Sequence, residues 1–114
     1  MRILRAMTQT EWDTVCQQQY YGQAELKRCG FIHCATAETI LEVLERHFRN
    51  IEEPVVLLYI ETDRVIHQIK WEDRHFRGVD YPHVCGALNL SAVDRVVPVP
   101  TGRSGDFMLP PDLM

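Results

Sequence analysis

Pro54-Val55-Val56-Leu57-Leu58-Tyr59-Ile60 holds the longest apolar run in the chain, opening directly after a proline that stops whatever precedes it. Six apolar residues in succession put hydrophobic side chains on both faces of an extended segment, the pattern of a central strand covered on both sides. Working outward, Ile40, Leu41, Val43, Leu44 and Phe48 recur at helical spacing, with Thr36 placed to cap that helix. Residues 2–7 alternate as a first strand. Thr8 and Glu11 then stand at capping-box spacing, with Met7 and Trp12 flanking them as a hydrophobic staple, which predicts a helix to about residue 19. Residues 20–30 read as a loop with a turn of helix, ending in a glycine before the short strand Phe31-Ile32-His33-Cys34.

Beyond the central strand, a turn at 61–64 leads to a strand over 65–71 and a polar loop over 72–80. His83-Val84-Cys85 is a short extended piece closed by Gly86, and a final strand lies near 93–97. Two short helices and about five strands in mixed order predict an α+β fold, because regular βαβ alternation with glycine-rich phosphate turns is missing.

With 114 residues, 46% hydrophobic and 25% charged, the chain has the make-up of one ordinary globular domain over 1–114, its tail irregular from about residue 100. Twelve basic against sixteen acidic side chains give a net charge of -4. That balance argues against duplex nucleic acid as a partner, although a local basic pocket is compatible with it. The opening MRILRAMTQTEW has no apolar h-region, and the 55–60 run is far too short to cross a bilayer, so the expectation is a cytoplasmic protein with no membrane partner. Cys16, Cys29, Cys34 and Cys85 lack the close paired spacing of a zinc knuckle and read as small buried hydrophobes. No pattern in the sequence sets an oligomeric state.

Three constellations carry chemistry. In extended Gly30-Phe31-Ile32-His33-Cys34-Ala35-Thr36, Phe31, His33 and Ala35 share one face and Ile32 and Cys34 the other, so His33 and Cys34 do not ligate one metal together. His33 is either a site residue or a core histidine held by a backbone carbonyl. Trp71-Glu72-Asp73-Arg74-His75 delivers an aromatic, a carboxylate and a cation from a strand end into a loop, where sites concentrate; the alternative is a solvated charged turn. In Tyr81-Pro82-His83-Val84-Cys85-Gly86, the proline restricts its neighbours and the glycine permits a turn or a close ligand approach. His47, His67 and His75 read as surface or packing residues. Two histidines and a carboxylate lack a third metal ligand at local spacing, so no metal is expected, and neither Cys34 nor Cys85 carries the activating signature of a nucleophile.

Taken together, Arg5, Trp12, Gly30-Phe31-Ile32-His33, Thr36, His47-Phe48, Leu57-Leu58, Trp71-Glu72, Pro82-His83, Gly86, Leu88, Ala92-Val93 and Pro98 resemble, in order and spacing, a bacterial family catalogued as domain of unknown function 952. The chain departs from that pattern at Cys34, Tyr81 and Cys85. The resemblance implies a fold similar to the ADP-ribosyltransferases and RNA 2′-phosphotransferases: a small domain with a curved, split, mixed sheet and NAD bound in its cleft as substrate, with no resident cofactor. It implies Arg5, His33 and His83 as the three superfamily site positions, with Thr36 beside the ligand.

Cleaving the nicotinamide bond develops an oxocarbenium-like ribose. Such a site needs a cation for the diphosphate, a planar group against nicotinamide and an acceptor for a ribose hydroxyl. Arg5 or Arg74, His33 and His83 fit these roles in that order, and either His83 or Glu72 stands in for the usual glutamate. Trp71 and Tyr81 complete the expected ligand contacts. Three function classes follow: a transferase acting on NAD, ADP-ribosyl groups or a nucleotide phosphate, a non-catalytic module binding the same small ligands, and a protein-interaction module without a ligand site.

Overall fold

The computed structural model describes residues 1–74 and 76–114. Strand β4 (Val55–Glu61) forms where the apolar run predicts it, and its first six residues are buried. It lies in the middle of an antiparallel sheet, with β1 (Arg2–Thr8) on one edge and β8 (Val93–Pro98) on the other. Strand alternation then divides the hydrophobic interior in two. Val56, Leu58 and Ile60 join Ile3 and Met7 on one face, while Val55, Leu57 and Tyr59 join Leu4 and Ala6 on the other.

The second face is covered by α3 (Ile40–Phe48) through Ile40 and Leu44, and by Phe107, Leu109 and Leu113 of the C-terminal segment. That segment is irregular, as expected, but docked: the Tyr59 hydroxyl donates to Asp112 Oδ1 at 3.0 Å. The first face is covered by α1 (Gln9–Val15) through Trp12 and Val15, by α2 (Gln23–Cys29) through Leu26, and by two small sheets. One pairs β2 (Tyr20–Tyr21) with β7 (Leu88–Asn89); the other has the order β3 (Ile32–His33), β6 (Tyr81–Val84), β5 (Ile69–Glu72).

The fold is therefore α+β, but several details differ from the sequence-based expectation. There are three α-helices among the described residues, and every strand pairing is antiparallel, so the expected mixed sheet is replaced by three antiparallel ones. The extra helix is α2. Its residues are mostly good helix formers, and Gly30 ends it at a φ of +85° while donating its amide to the Leu26 carbonyl. Helix α1 stops at Val15 because Tyr20 and Tyr21 are drawn into register with Asn89 and Leu88. Its N-cap is as expected, with Thr8 accepting from the Glu11 amide at 3.1 Å.

Strand β5 begins at Ile69 rather than 65, since the Ile66 amide donates instead to the Asn89 side chain. The close approach at Gly86 is to protein: a Cβ there would lie 2.4 Å from the His67 ring. Thr36 is not the helix cap. The cap position is Thr39, and Thr36 forms the turn before it, its carbonyl accepting the amides of Thr39 and Ile40.

The two larger sheets meet at one point, where Leu4 and Ala35 exchange backbone hydrogen bonds of 2.8 and 2.7 Å. This junction sets Arg5 beside His33. Leu58 packs fully buried behind it, in register with Arg5. Leu58→Ala is expected to cost about 2–5 kcal/mol in urea unfolding, the range for deleting a fully buried leucine side chain; a loss below about 1 kcal/mol would show that this layer is not the tightly packed interior described.

Candidate functional site

Strand parity puts Arg5 on the same face as Ile3 and Met7, so a guanidinium enters an apolar layer and must be neutralised there. Glu25 of α2, only 7% exposed, does so with both oxygens: Arg5 Nη2 lies 2.8 Å from Oε1, and Nη1 donates to Oε2 at 3.1 Å. Arg5 also donates to the His33 carbonyl at 2.9 Å and to the Tyr21 hydroxyl at 3.0 Å, and Tyr21 donates onward to Glu11 at 3.1 Å. Burial alone would lower the Arg5 pKa, but Tyr21 and Glu25 outweigh it and raise it, so the group stays charged. Burial would likewise raise Glu25, yet the hydrogen bond from His33 and the charge of Arg5 hold it at about 2.

The same carboxylate orients His33. Glu25 Oε2 accepts the His33 backbone amide at 2.7 Å and lies 2.6 Å from ring Nδ1. A carboxylate only accepts, so the proton between them sits on Nδ1 and Nε2 is the nitrogen presented outward.

His83 faces His33 directly across the β3–β6 register, with ring centroids 5.3 Å apart. It is the more deeply buried of the two, at 3% exposure, and Phe31 stacks on it at 4.1 Å while tilting against His33 at 4.6 Å. Its Nδ1 is 3.1 Å from Glu72 Oε1. Glu72 pairs with Tyr81 in the β5–β6 register, one diagonal step from His83 and on the same face. Burial lowers the His83 pKa, with the Glu72 bond opposing only in part, so the ring is neutral at neutral pH. Glu72 is lowered chiefly by that same hydrogen bond, with Arg74 assisting.

These groups line a cleft of about 330 Å³ between the β3–β6–β5 sheet and α3. Six of the residues singled out from sequence come together in it: Arg5, His33, Glu72, Arg74, Tyr81 and His83. Two do not. Trp71 alternates away from Glu72, pairs with Pro82 and is 40% exposed outside the cleft. Thr36 is engaged with Thr39 in the turn before α3.

Arg5 reaches the cleft wall with its two terminal nitrogens engaged by Glu25, Tyr21 and the His33 carbonyl, and its buried Nε has no partner among the described residues. Arg74 has the freer position, over the Phe31 ring at 4.7 Å and 3.5 Å from Glu72. Arg28 and Arg46 add further cations to the lining, Arg46 paired with Glu42 of its own helix and Arg28 without an ion-pair partner among the described residues. Four arginines against two glutamates make this lining basic within an acidic chain.

Sequence reasoning missed Glu25, Arg28, Arg46 and His47. His47 lies on the cleft rather than serving only as a surface residue, one helical turn beyond Val43, which also lines it. His67 packs on Gly86, while His75 lies outside the described residues. Glu25 lies in a stretch that reads as a loop with a turn of helix; the signal for it was Arg5 itself, since a cation on an apolar strand face needs an acid nearby.

The cysteines are not uniformly buried as expected: Cys29 is exposed, Cys16 and Cys85 partly so, and only Cys34 is buried. Burial pushes the Cys34 thiol up to about 12, which excludes it as a nucleophile at neutral pH. Among the described residues no cluster of three or more His, Cys, Asp or Glu could hold a metal ion.

Because the Glu25 carboxyl falls from an ordinary 4.5 to about 2 on folding, its stabilisation is complete above 4.5 and is lost as pH falls toward 2. Glu25→Gln is therefore expected to be less stable than the wild type by roughly 3 kcal/mol at neutral pH, with the gap closing between about pH 5 and 2. Urea unfolding across that range reads it directly; a gap that does not change with pH would contradict the assigned ion pair.

The fold is shared with a solved protein from Caulobacter crescentus, CC0527. Its crystal structure superposes with a TM-score of 0.82 at 29% identity, covering 99% of this chain and 98% of that one. The solution NMR structure of the same protein gives 0.74, also at 29% identity, over 91% and 89% of the two chains. No protein with a curated description matches the chain. The model of the family described as "Protein of unknown function (DUF952)" matches residues 6–96, a span that holds both histidines, Glu25 and Glu72, and the chain belongs to that family.

Proposed function

We propose that the cleft binds a small nucleotide-like ligand of the class of NAD, ADP-ribose and related nucleotide phosphates, in the manner of an ADP-ribosyltransferase-like site. The observation that carries this reading is the division of the cleft wall by chemistry. Ala6, Ala35, Ile40, Val43 and Phe48 supply an apolar side for a planar base. His33, His83 and Glu72 supply hydrogen-bonding groups suited to a ribose, and Arg28, Arg46 and Arg74 supply cations suited to phosphate oxygens. At about 330 Å³ the cavity takes one nucleoside-sized half of a dinucleotide, leaving a diphosphate at the arginines.

Transfer chemistry at the nicotinamide bond is favoured by one specific feature. Glu72 is a carboxylate that reaches the cleft and keeps partial exposure, its side chain at 30% against 8% for Glu25. It also shares a hydrogen bond with His83, so the two candidates for the usual catalytic glutamate act as one unit rather than as alternatives. A non-catalytic module would need only the arginines and the apolar wall.

Melting temperatures with NAD, ADP-ribose, nicotinamide and a 2′-phosphorylated nucleotide test the ligand class. A ligand at ten times its dissociation constant adds about 1.4 kcal/mol, a shift of several degrees for a domain of this size. Phosphate-bearing ligands are expected to give that shift, and Arg28→Ala and Arg74→Ala to weaken it. No shift with any of the four would remove the nucleotide reading, and release of nicotinamide from NAD that is lost in Glu72→Gln would assign the transferase chemistry.

A further inference from the structure

His33 and His83 form a pair whose geometry exceeds what ligand binding requires. Each imidazole is held at Nδ1 by its own carboxylate, Glu25 at 2.6 Å and Glu72 at 3.1 Å. Each therefore keeps Nε2 free of its carboxylate, and Phe31 packs against both rings. The two carboxylates are already engaged, Glu25 with Arg5 and His33 and Glu72 with His83 and Arg74, so the groups free to move protons are the two imidazoles. Two imidazoles, a cationic rim and room for one nucleotide are the parts needed for acid–base chemistry at phosphorus.

We propose that His33 and His83 are a proton-transfer pair that hydrolyses the cyclic phosphodiester of a single nucleotide, a nucleoside 2′,3′-cyclic phosphate being the simplest substrate of that class. This rests on the reading that a nucleotide-like ligand occupies the cleft. Water adds to phosphorus as His83 Nε2 takes one of its protons. The bond from phosphorus to one ribose oxygen breaks, and that oxygen takes a proton from Nε2 of protonated His33. The product is a nucleoside phosphomonoester with one ribose hydroxyl restored, and solvent returns the proton from His83 to His33.

The assignment of roles follows from environment. His83 is the buried ring, held at Nδ1 by Glu72 and able to accept at Nε2; His33 has 46% of its side chain exposed, where solvent reaches it. Arg28 and Arg74 hold the non-bridging phosphate oxygens, and Glu25 and Glu72 act as positioning residues through the rings they orient.

The test is chromatographic conversion of adenosine 2′,3′-cyclic phosphate to the monophosphate by the wild-type chain, His33→Gln, His83→Gln and Trp71→Ala, alongside melting shifts with the same nucleotide. Turnover is expected in the wild type and in Trp71→Ala, with kcat at saturating nucleotide lost by about 100-fold or more in each histidine variant. A shift without wild-type turnover overturns the proton-transfer pair and leaves the ligand reading standing. Neither shift nor turnover overturns both, and turnover that survives in the histidine variants overturns the assignment. Should His83→Gln lose its circular dichroism, the half-exposed His33→Gln decides alone.

Discussion

The buried ion pair between Arg5 and Glu25 is the constraint on which the rest of the molecule depends. Arg5 comes from β1, Glu25 from α2, Tyr21 from β2 and the accepting His33 carbonyl from β3, so one guanidinium ties together four elements that no backbone ladder joins to one another beyond the single Leu4–Ala35 bridge. Burying such a pair costs desolvation on both sides and stabilises little over an apolar substitute. Removing one partner, by contrast, leaves the other charge uncompensated, at a cost of about 3–5 kcal/mol. The arrangement is therefore better understood as fixing position than as adding stability. It determines how the β3–β6–β5 sheet sits against β1, and with that the width and orientation of the cleft.

The same pair reaches into the candidate chemistry. Glu25 has one oxygen facing Arg5 and shares the other between Arg5, the His33 amide and the His33 ring. A residue that reads as scaffold thus sets the tautomer of a residue that faces the cleft. Glu72 repeats the device on the neighbouring strand, orienting His83 through its Nδ1. Phe31 then locks the two rings against each other, so the cleft presents a preorganised pair of nitrogens rather than two mobile side chains.

Much of this was legible in the sequence where period and burial coincide. The apolar run of β4 and the helical spacing of α3 read correctly because both bury a continuous face; Cys34 joins the core as alternation expects, although it also reaches the cleft that His33 lines. Where structure depends on long-range pairing, local pattern was silent. Helix α2 is two turns long, and its buried Glu25 looks like surface charge until Arg5 is placed opposite it. Helix α1 ends early because two tyrosines pair with a strand nearly seventy residues away. Trp71 lies outside the cleft because strand alternation puts it on the face opposite Glu72. Arg5 was recognised as a cation near the site, but its chemical type alone does not show that an acid, a phenol and a carbonyl already occupy it.

The central claim is that carboxylates hold both imidazoles by Nδ1 and leave Nε2 for the cleft. Long-range proton–nitrogen NMR of the imidazole side chains at neutral pH tests it most directly. The account predicts a neutral His83 with its proton on Nδ1 and a bare Nε2, a His33 Nδ1 proton held in a hydrogen bond, and a His33 signal that moves in Glu25→Gln and a His83 signal that moves in Glu72→Gln. A His83 protonated on Nε2, or histidine signals indifferent to both glutamates, would contradict it.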